Sequence, residues 1–83
     1  MDKIINQFPG VVRQLRKARG WSQEELAERA DLNRSYIGEI ERGIAIPSLA
    51  TLGKLAGSFE LPPSTLLAHC EQQAAGDSML SAA

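Results

Sequence analysis

The sequence predicts an all-α fold of five short helices, and three observations carry that prediction. Apolar residues recur at three- and four-residue steps through most of the chain, the period of a helix with one buried face. Ser22, Asn33 and Ser48 each stand just ahead of such a run, where a side-chain oxygen can cap a helix N-terminus. Only four aromatics occur, Phe8, Trp21, Tyr36 and Phe59, so the core falls to Leu, Ile, Val and Ala, which suits packed helices better than a sheet.

The elements follow in order. Pro9-Gly10 reads as a start, Val11 or Val12, Leu15 and Ala18 recur at helical spacing, and Gly20 reads as a stop, so helix 1 is expected over about Gly10 to Arg19. Ser22 with Glu25 three residues later has the spacing of a capping box, and Trp21 with Leu26 that of a hydrophobic staple. A second helix should therefore begin at Gln23 and bury Leu26, Ala27 and Ala30. Asn33 is a good cap for a third helix over Arg34 to Arg42, with Ile37 and Ile40 inward and Gly43 at its end. After the loop Ile44-Ala45-Ile46-Pro47, Ser48 caps a fourth helix whose inward stripe is Leu49, Leu52, Leu55, Ala56 and Phe59. Pro63 fits the first turn of a fifth helix carrying Leu66 and Leu67. From Gln73 onward Ala, Gly and Ser dominate, so the sequence divides into a domain over 1–72 and a flexible tail over 73–83.

Composition narrows the function. At 83 residues the chain holds one compact domain. With 43% hydrophobic and 23% charged residues it has the profile of an ordinary globular protein. No apolar run approaches the roughly 20 residues of a membrane span, and no signal-peptide pattern opens the sequence. A cytoplasmic protein with no membrane partner is the expectation. The lone Cys70 makes neither an internal disulfide nor a thiolate zinc cluster. A net charge of −1 argues against a nonspecific nucleic-acid coat but leaves room for a local basic face. Arg13, Arg16, Lys17 and Arg19 form such a cluster, with no acid between them, and the rear of the chain is acidic.

Helices 2 and 3, separated by about three residues and separately capped, form the skeleton of a helix-turn-helix. That geometry needs a small residue where the helices cross, which Ala27 supplies, and an apolar residue in the turn, which Leu32 supplies. Arg34, Ser35 and Tyr36 open the second helix of the pair, and Glu39 follows one turn later on an exposed face. An arginine there can donate two hydrogen bonds to guanine O6 and N7, and serine adapts to several base edges.

The string Trp21-Ser22-Gln23-Glu24-Glu25-Leu26-Ala27, then Leu32-Asn33-Arg34-Ser35-Tyr36-Ile37, Ile40-Glu41-Arg42-Gly43 and Pro47-Ser48-Leu49 resembles the lambda-repressor-like, Xre-type helix-turn-helix family. Within that family the likeness is to small controller proteins of restriction–modification systems, and it covers about Val11 to Leu67. The resemblance implies a compact five-helix DNA-binding domain. It also implies a homodimer joined through the C-terminal helix, where Leu66 and Leu67 are the expected interface, and a third helix that enters the major groove of a double-stranded operator. By position it makes Arg34, Ser35 and Glu39 base readers. It sets Gln23, Tyr36, Arg42 and Asn33 near phosphates, and pairs Arg16 with Glu41 in a structural salt bridge. Glu39 has a second reading, a solvated or phosphate-repelling acid, and Tyr36 can instead pack its ring on the hairpin. Glu60 stands where the family usually has glycine, which would strain the backbone if φ there is positive.

Enzyme readings find little support. His69 and Cys70 lack a second pair of metal ligands, so no metal or cofactor is expected. Ser22, Ser35 and Ser64 have no plausible partnership with the lone His69 and an acid. The leading expectation is a dimeric, sequence-specific transcription regulator. The alternatives are an antitoxin-like or other protein-interaction module, and a helix-turn-helix retained only for dimer assembly.

Overall fold

Local chemistry sets where the helices start. A computed structural model of the chain describes the backbone of residues 2–82 and the side chains of residues 3–75. It contains α1 (Asp2–Ala18), α2 (Gln23–Ala30), α3 (Arg34–Glu41), α4 (Leu49–Ser58) and α5 (Pro63–Ala82). Ser22 Oγ accepts from the Glu25 N–H at 3.0 Å, Asn33 Oδ1 from the Tyr36 N–H at 2.7 Å, and Ser48 Oγ from the Thr51 N–H at 3.1 Å. Each cap satisfies a donor that a helix N-terminus leaves without an intrahelical partner.

Helices α1 to α4 end in one way. Each is followed by a residue with positive φ: Gly20 at 71°, Asp31 at 55°, Gly43 at 75° and Glu60 at 58°. The next N–H then reaches back five residues, Trp21 to Arg16, Leu32 to Ala27, Ile44 to Glu39 and Leu61 to Ala56, at 2.8 to 3.2 Å. This reversal satisfies the last carbonyls of a helix and suits glycine, which has no Cβ to crowd the backbone. Asp31 and Glu60 adopt the same conformation with a side chain in place, and at Glu60 this is the strain anticipated from the missing glycine.

The core draws on every helix. Val12, Leu26, Ile37, Ile40, Leu55, Phe59 and Leu66 are fully buried in it, with Cys70 at the α5 end. Trp21 closes one side by stacking on Phe59, ring centroids 5.9 Å apart and planes 8° off parallel. Arg19 lies over both rings and donates to the Phe59 carbonyl at 2.7 Å. Helix α5 packs along α1, and the hairpin of α2 and α3 is braced by α1 against α3 and by α4 against α2.

Two expectations need correction. Helix α1 does not begin near Gly10 but runs from Asp2, with Pro9 inside it. Proline removes one ladder hydrogen bond, yet the helix continues because Ile4, Phe8, Val11 and Leu15 form one apolar stripe against the core. Leu49 is not an inward residue of α4: it is 85% exposed, because the first turn of that helix projects past the core that Leu52 and Leu55 fill. The tail expected from Gln73 is helical in backbone through Ala82, and Ala74 is buried. The flexible character expected over 73–83 lies, for 76–83, outside the described side chains.

Candidate nucleic-acid interface

The site is built around α3. Ile37 and Ile40 are fully buried and Glu41 almost so, and they turn the opposite side of the helix to solvent. That side carries Arg34 and Ser35 at the N-terminal end, Glu39 in the middle and Arg42 at the C-terminal cap. Arg34, Ser35 and Arg42 are exposed and Glu39 is half-buried. Asn33, also exposed, uses its Oδ1 as the cap, so its amide N–H groups stay available.

The remaining expected contacts are more committed. Tyr36 is half-buried against the core, and its hydroxyl donates to Thr51 Oγ1 at 3.4 Å, tying α3 to the first turn of α4. Gln23, the first residue of α2, donates from Nε2 to Glu41 Oε1 at 3.1 Å. A carboxamide nitrogen has two N–H groups, so one donor remains.

Glu41 is the hub that fixes these elements relative to one another. Arg16 from α1 grips it with two parallel bonds, Nε to Oε2 at 2.6 Å and Nη2 to Oε1 at 3.0 Å. The third Arg16 nitrogen donates to the Trp21 carbonyl at 2.8 Å. The two side chains are only 11% and 3% exposed. Burial by itself pushes the Glu41 carboxyl up. Hydrogen bonds from Arg16 and Gln23, with the charges of Arg16 and Arg13, overcome it and hold the group below its ordinary value of 4.5. The Arg16–Glu41 pair thus locks α1 to α3 and, through Gln23, sets the start of α2.

Two members of this arrangement were not found by sequence reasoning. Arg13 donates to the Glu41 carbonyl at 3.0 Å, capping the end of α3 from α1. Its signal was its place one turn before Arg16 on the same helix face. Gly38, buried between α3 and α2, carries no side-chain signal.

Two further expectations fail. The basic cluster on α1 is not one free face: Arg16 and Arg13 are bound to Glu41 and Arg19 to Trp21 and Phe59, which leaves Lys17 exposed. Leu66 has no surface to offer a partner, since it is 0% exposed in the core of its own chain, whereas Leu67 is half-buried beside a groove. Cys70 is equally buried, and burial raises its thiol above the ordinary value, so it stays protonated and inert. Among the described residues no group of His, Cys, Asp and Glu is placed to hold a metal, and no helix is long and apolar enough to cross a membrane.

Two capped helices joined by a tight left-handed turn, with the second presenting a polar face, define a helix-turn-helix protein. A profile of the helix-turn-helix family matches residues 12–66, and the chain belongs to that family in its lambda-repressor-like, Xre-type form. Control protein C.BamHI of Bacillus amyloliquefaciens is 40% identical over 72 residues, which is 80% of this chain and 89% of its own. The crystal structure of the restriction-modification controller protein C.AhdI from Aeromonas hydrophila is 39% identical with a TM-score of 0.71, covering 80% of this chain and 98% of that one. A crystal structure of the biofilm regulator SinR in complex with DNA is 36% identical with a TM-score of 0.67, over 72% and 97% of the two chains. Two other curated relatives are much longer, and the chain spans 38% of one and 39% of the other.

Proposed function

We propose that this chain is a sequence-specific, double-stranded DNA-binding transcription regulator that acts as a homodimer and is not an enzyme. The observation that carries the proposal is the outward face of α3. Arg16, Arg19 and Arg29 are engaged within the fold, while Arg34 and Arg42 stand exposed on one helix with Ser35 and Glu39. In this reading Arg34, Ser35 and Glu39 meet base edges in the major groove, and Gln23, Asn33 and Arg42 meet phosphates. Tyr36 lies close to the phosphates with its hydroxyl engaged by Thr51. A structure of SinR in complex with DNA, of similar fold, supports the DNA-binding reading as a whole, and a genome target implies work in the cytoplasm.

The dimer face moves from Leu66 to the surface beside it. Ile44 and Ile46 are each 69% exposed and Leu49 is 85% exposed. Ile46 and Leu49 border a groove of about 150 Å³ with Ile5 and Leu67. Apolar exposure on this scale marks an interface more often than bare surface. The patch begins within three residues of the end of α3, so a twofold axis through it would hold two recognition helices at a fixed separation. The test is selection of duplexes from a random-sequence pool by the purified protein. Enriched inverted repeats with half-sites about 34–36 Å apart support the reading. Failure to enrich any sequence, alongside capture of a stoichiometric protein partner from lysate, would replace it with the interaction-module reading.

A further inference from the structure

Gly38 is an anomaly of the recognition helix. It sits in the interior of α3, where glycine is the least favourable residue apart from proline, and its φ is not one that requires glycine. Helical spacing puts it in line with Arg34 and Arg42, four residues to either side, where α3 is buried against the start of α2. The space a side chain would fill is occupied. The point where a Cβ would stand is 3.0 Å from Arg42 Nη1, 3.8 Å from Arg42 Cζ and 3.8 Å from Gln23 Oε1. The guanidinium of Arg42 therefore lies back across the glycine, toward the first residue of α2.

We infer that Gly38 is a positioning residue of the DNA interface: its missing side chain seats Arg42 beside Gln23, so that one phosphate meets both. The inference rests on the DNA-binding reading above. Glu41 contributes from behind by taking one Gln23 N–H, which fixes the carboxamide whose oxygen lies 3.8 Å from the same point. Without the seat, the long Arg42 side chain swings free, and its ordering must be supplied by DNA at the moment of binding.

The consequence is a substitution whose effects on folding and binding have opposite signs. In Gly38→Ala the added methyl meets only the far end of a flexible side chain, which can move aside. Better helix propensity then raises Tm by about 4–8 °C. The same methyl displaces Arg42, and binding to a fluorescently labelled random-sequence duplex of about three helical turns weakens on the order of tenfold. The salt dependence, measured between about 50 and 200 mM, flattens by roughly one unit of slope. In an Arg42→Ala background, Gly38→Ala should change affinity less than about twofold, because the displaced group is already gone. Wild-type affinity in Gly38→Ala overturns the inference, and so does an equal loss with and without Arg42. A lower Tm also overturns it, since the glycine would then serve packing alone. If the folded wild-type protein binds no duplex at all, the DNA reading itself falls and this inference falls with it. Binding that depends on Arg42 but not on Gly38 removes only the seat.

Discussion

Replacing Arg16 by Met tests how the three helices are held together. Met keeps the apolar stem and removes the guanidinium, so the two bonds to Glu41 and the one to the Trp21 carbonyl disappear together. Glu41, 3% exposed, keeps the Gln23 bond and the more distant charge of Arg13. Removing one partner of a buried pair costs about 3–5 kcal/mol, mostly the penalty of a buried charge without its counterion. A chain of 83 residues has roughly 4–12 kcal/mol to lose. At about 4–8 °C per kcal/mol for this size, Tm should fall by more than about 12 °C at pH 7. Thermal melts followed by circular dichroism then add a second dimension. Because the folded-state pKa of Glu41 is lowered, the pair stabilises above the ordinary value of 4.5 and that contribution is lost as pH falls through the lower folded value. The variant has no such pair to lose, and acid relieves its buried charge. The gap between wild type and variant must therefore narrow on acidification. Lys54→Ala is the contrast, because its pairing with Asp31 is long, at 3.9 Å, and exposed, and should shift Tm by no more than a degree or two. A gap that stays constant from pH 7 to below pH 4, or an Arg16→Met melt equal to that of Lys54→Ala, would refute the reasoning.

Two other outcomes follow from particular residues. Glu60→Gly removes a side chain from a backbone at φ 58° and should raise stability by about 0.5–1 kcal/mol in denaturant unfolding, the strain relieved exceeding the entropy that glycine adds to the unfolded chain. A loss of stability there would mean that the side chain has a role the backbone angle conceals. Leu49→Asp should leave the fold intact, since the residue is 85% exposed, while sedimentation at micromolar concentration shifts from dimer to monomer. An unchanged dimer would place the interface elsewhere.

What the sequence made legible was mostly what is local. The caps at Ser22, Asn33 and Ser48 involve residues within three positions of each other, and each helix they start begins where expected. Glycine at 20 and 43 marked two of the four left-handed turns, while Asp31 concealed a third behind an ordinary polar residue. Helix α1 was misjudged because proline reads as a boundary, and the apolar stripe that carries the helix through Pro9 gains its value only from packing on α5 and the α3–α4 loop. Leu49 and Leu66 show the same limit from both sides. Both are leucines at helical spacing, and only the tertiary arrangement makes one exposed and the other fully buried. At the site, the order of residues along α3 was readable but the contacts they make were not. Nothing in the spacing says that Arg19 lies over two aromatic rings, that Tyr36 is tied to Thr51, or that a glycine makes room for Arg42.

This division has a physical basis. A cap or a turn depends on a few dihedral angles and one or two hydrogen bonds, so its residues carry their own signature. The network centred on Glu41 joins residues 18 to 28 positions apart, and its strength comes from burial that exists only once the helices have docked. The same docking separates the arginines into those that hold the fold and those that face outward. The reading of function depends on that separation.

The most direct test of the account is the base preference of Arg34→Ala, measured on single-base variants of a duplex selected by the wild-type protein, at two salt concentrations. Arg34 stands exposed at the first turn of α3, where its guanidinium can reach guanine O6 and N7 together. Arg34→Ala should lose about 1–3 kcal/mol of binding and relax preference at one base pair in each half-site, with all other preferences kept. A uniform loss across every variant, with each base preference intact and a flatter salt dependence, would show that Arg34 holds a phosphate and that α3 does not read sequence through it.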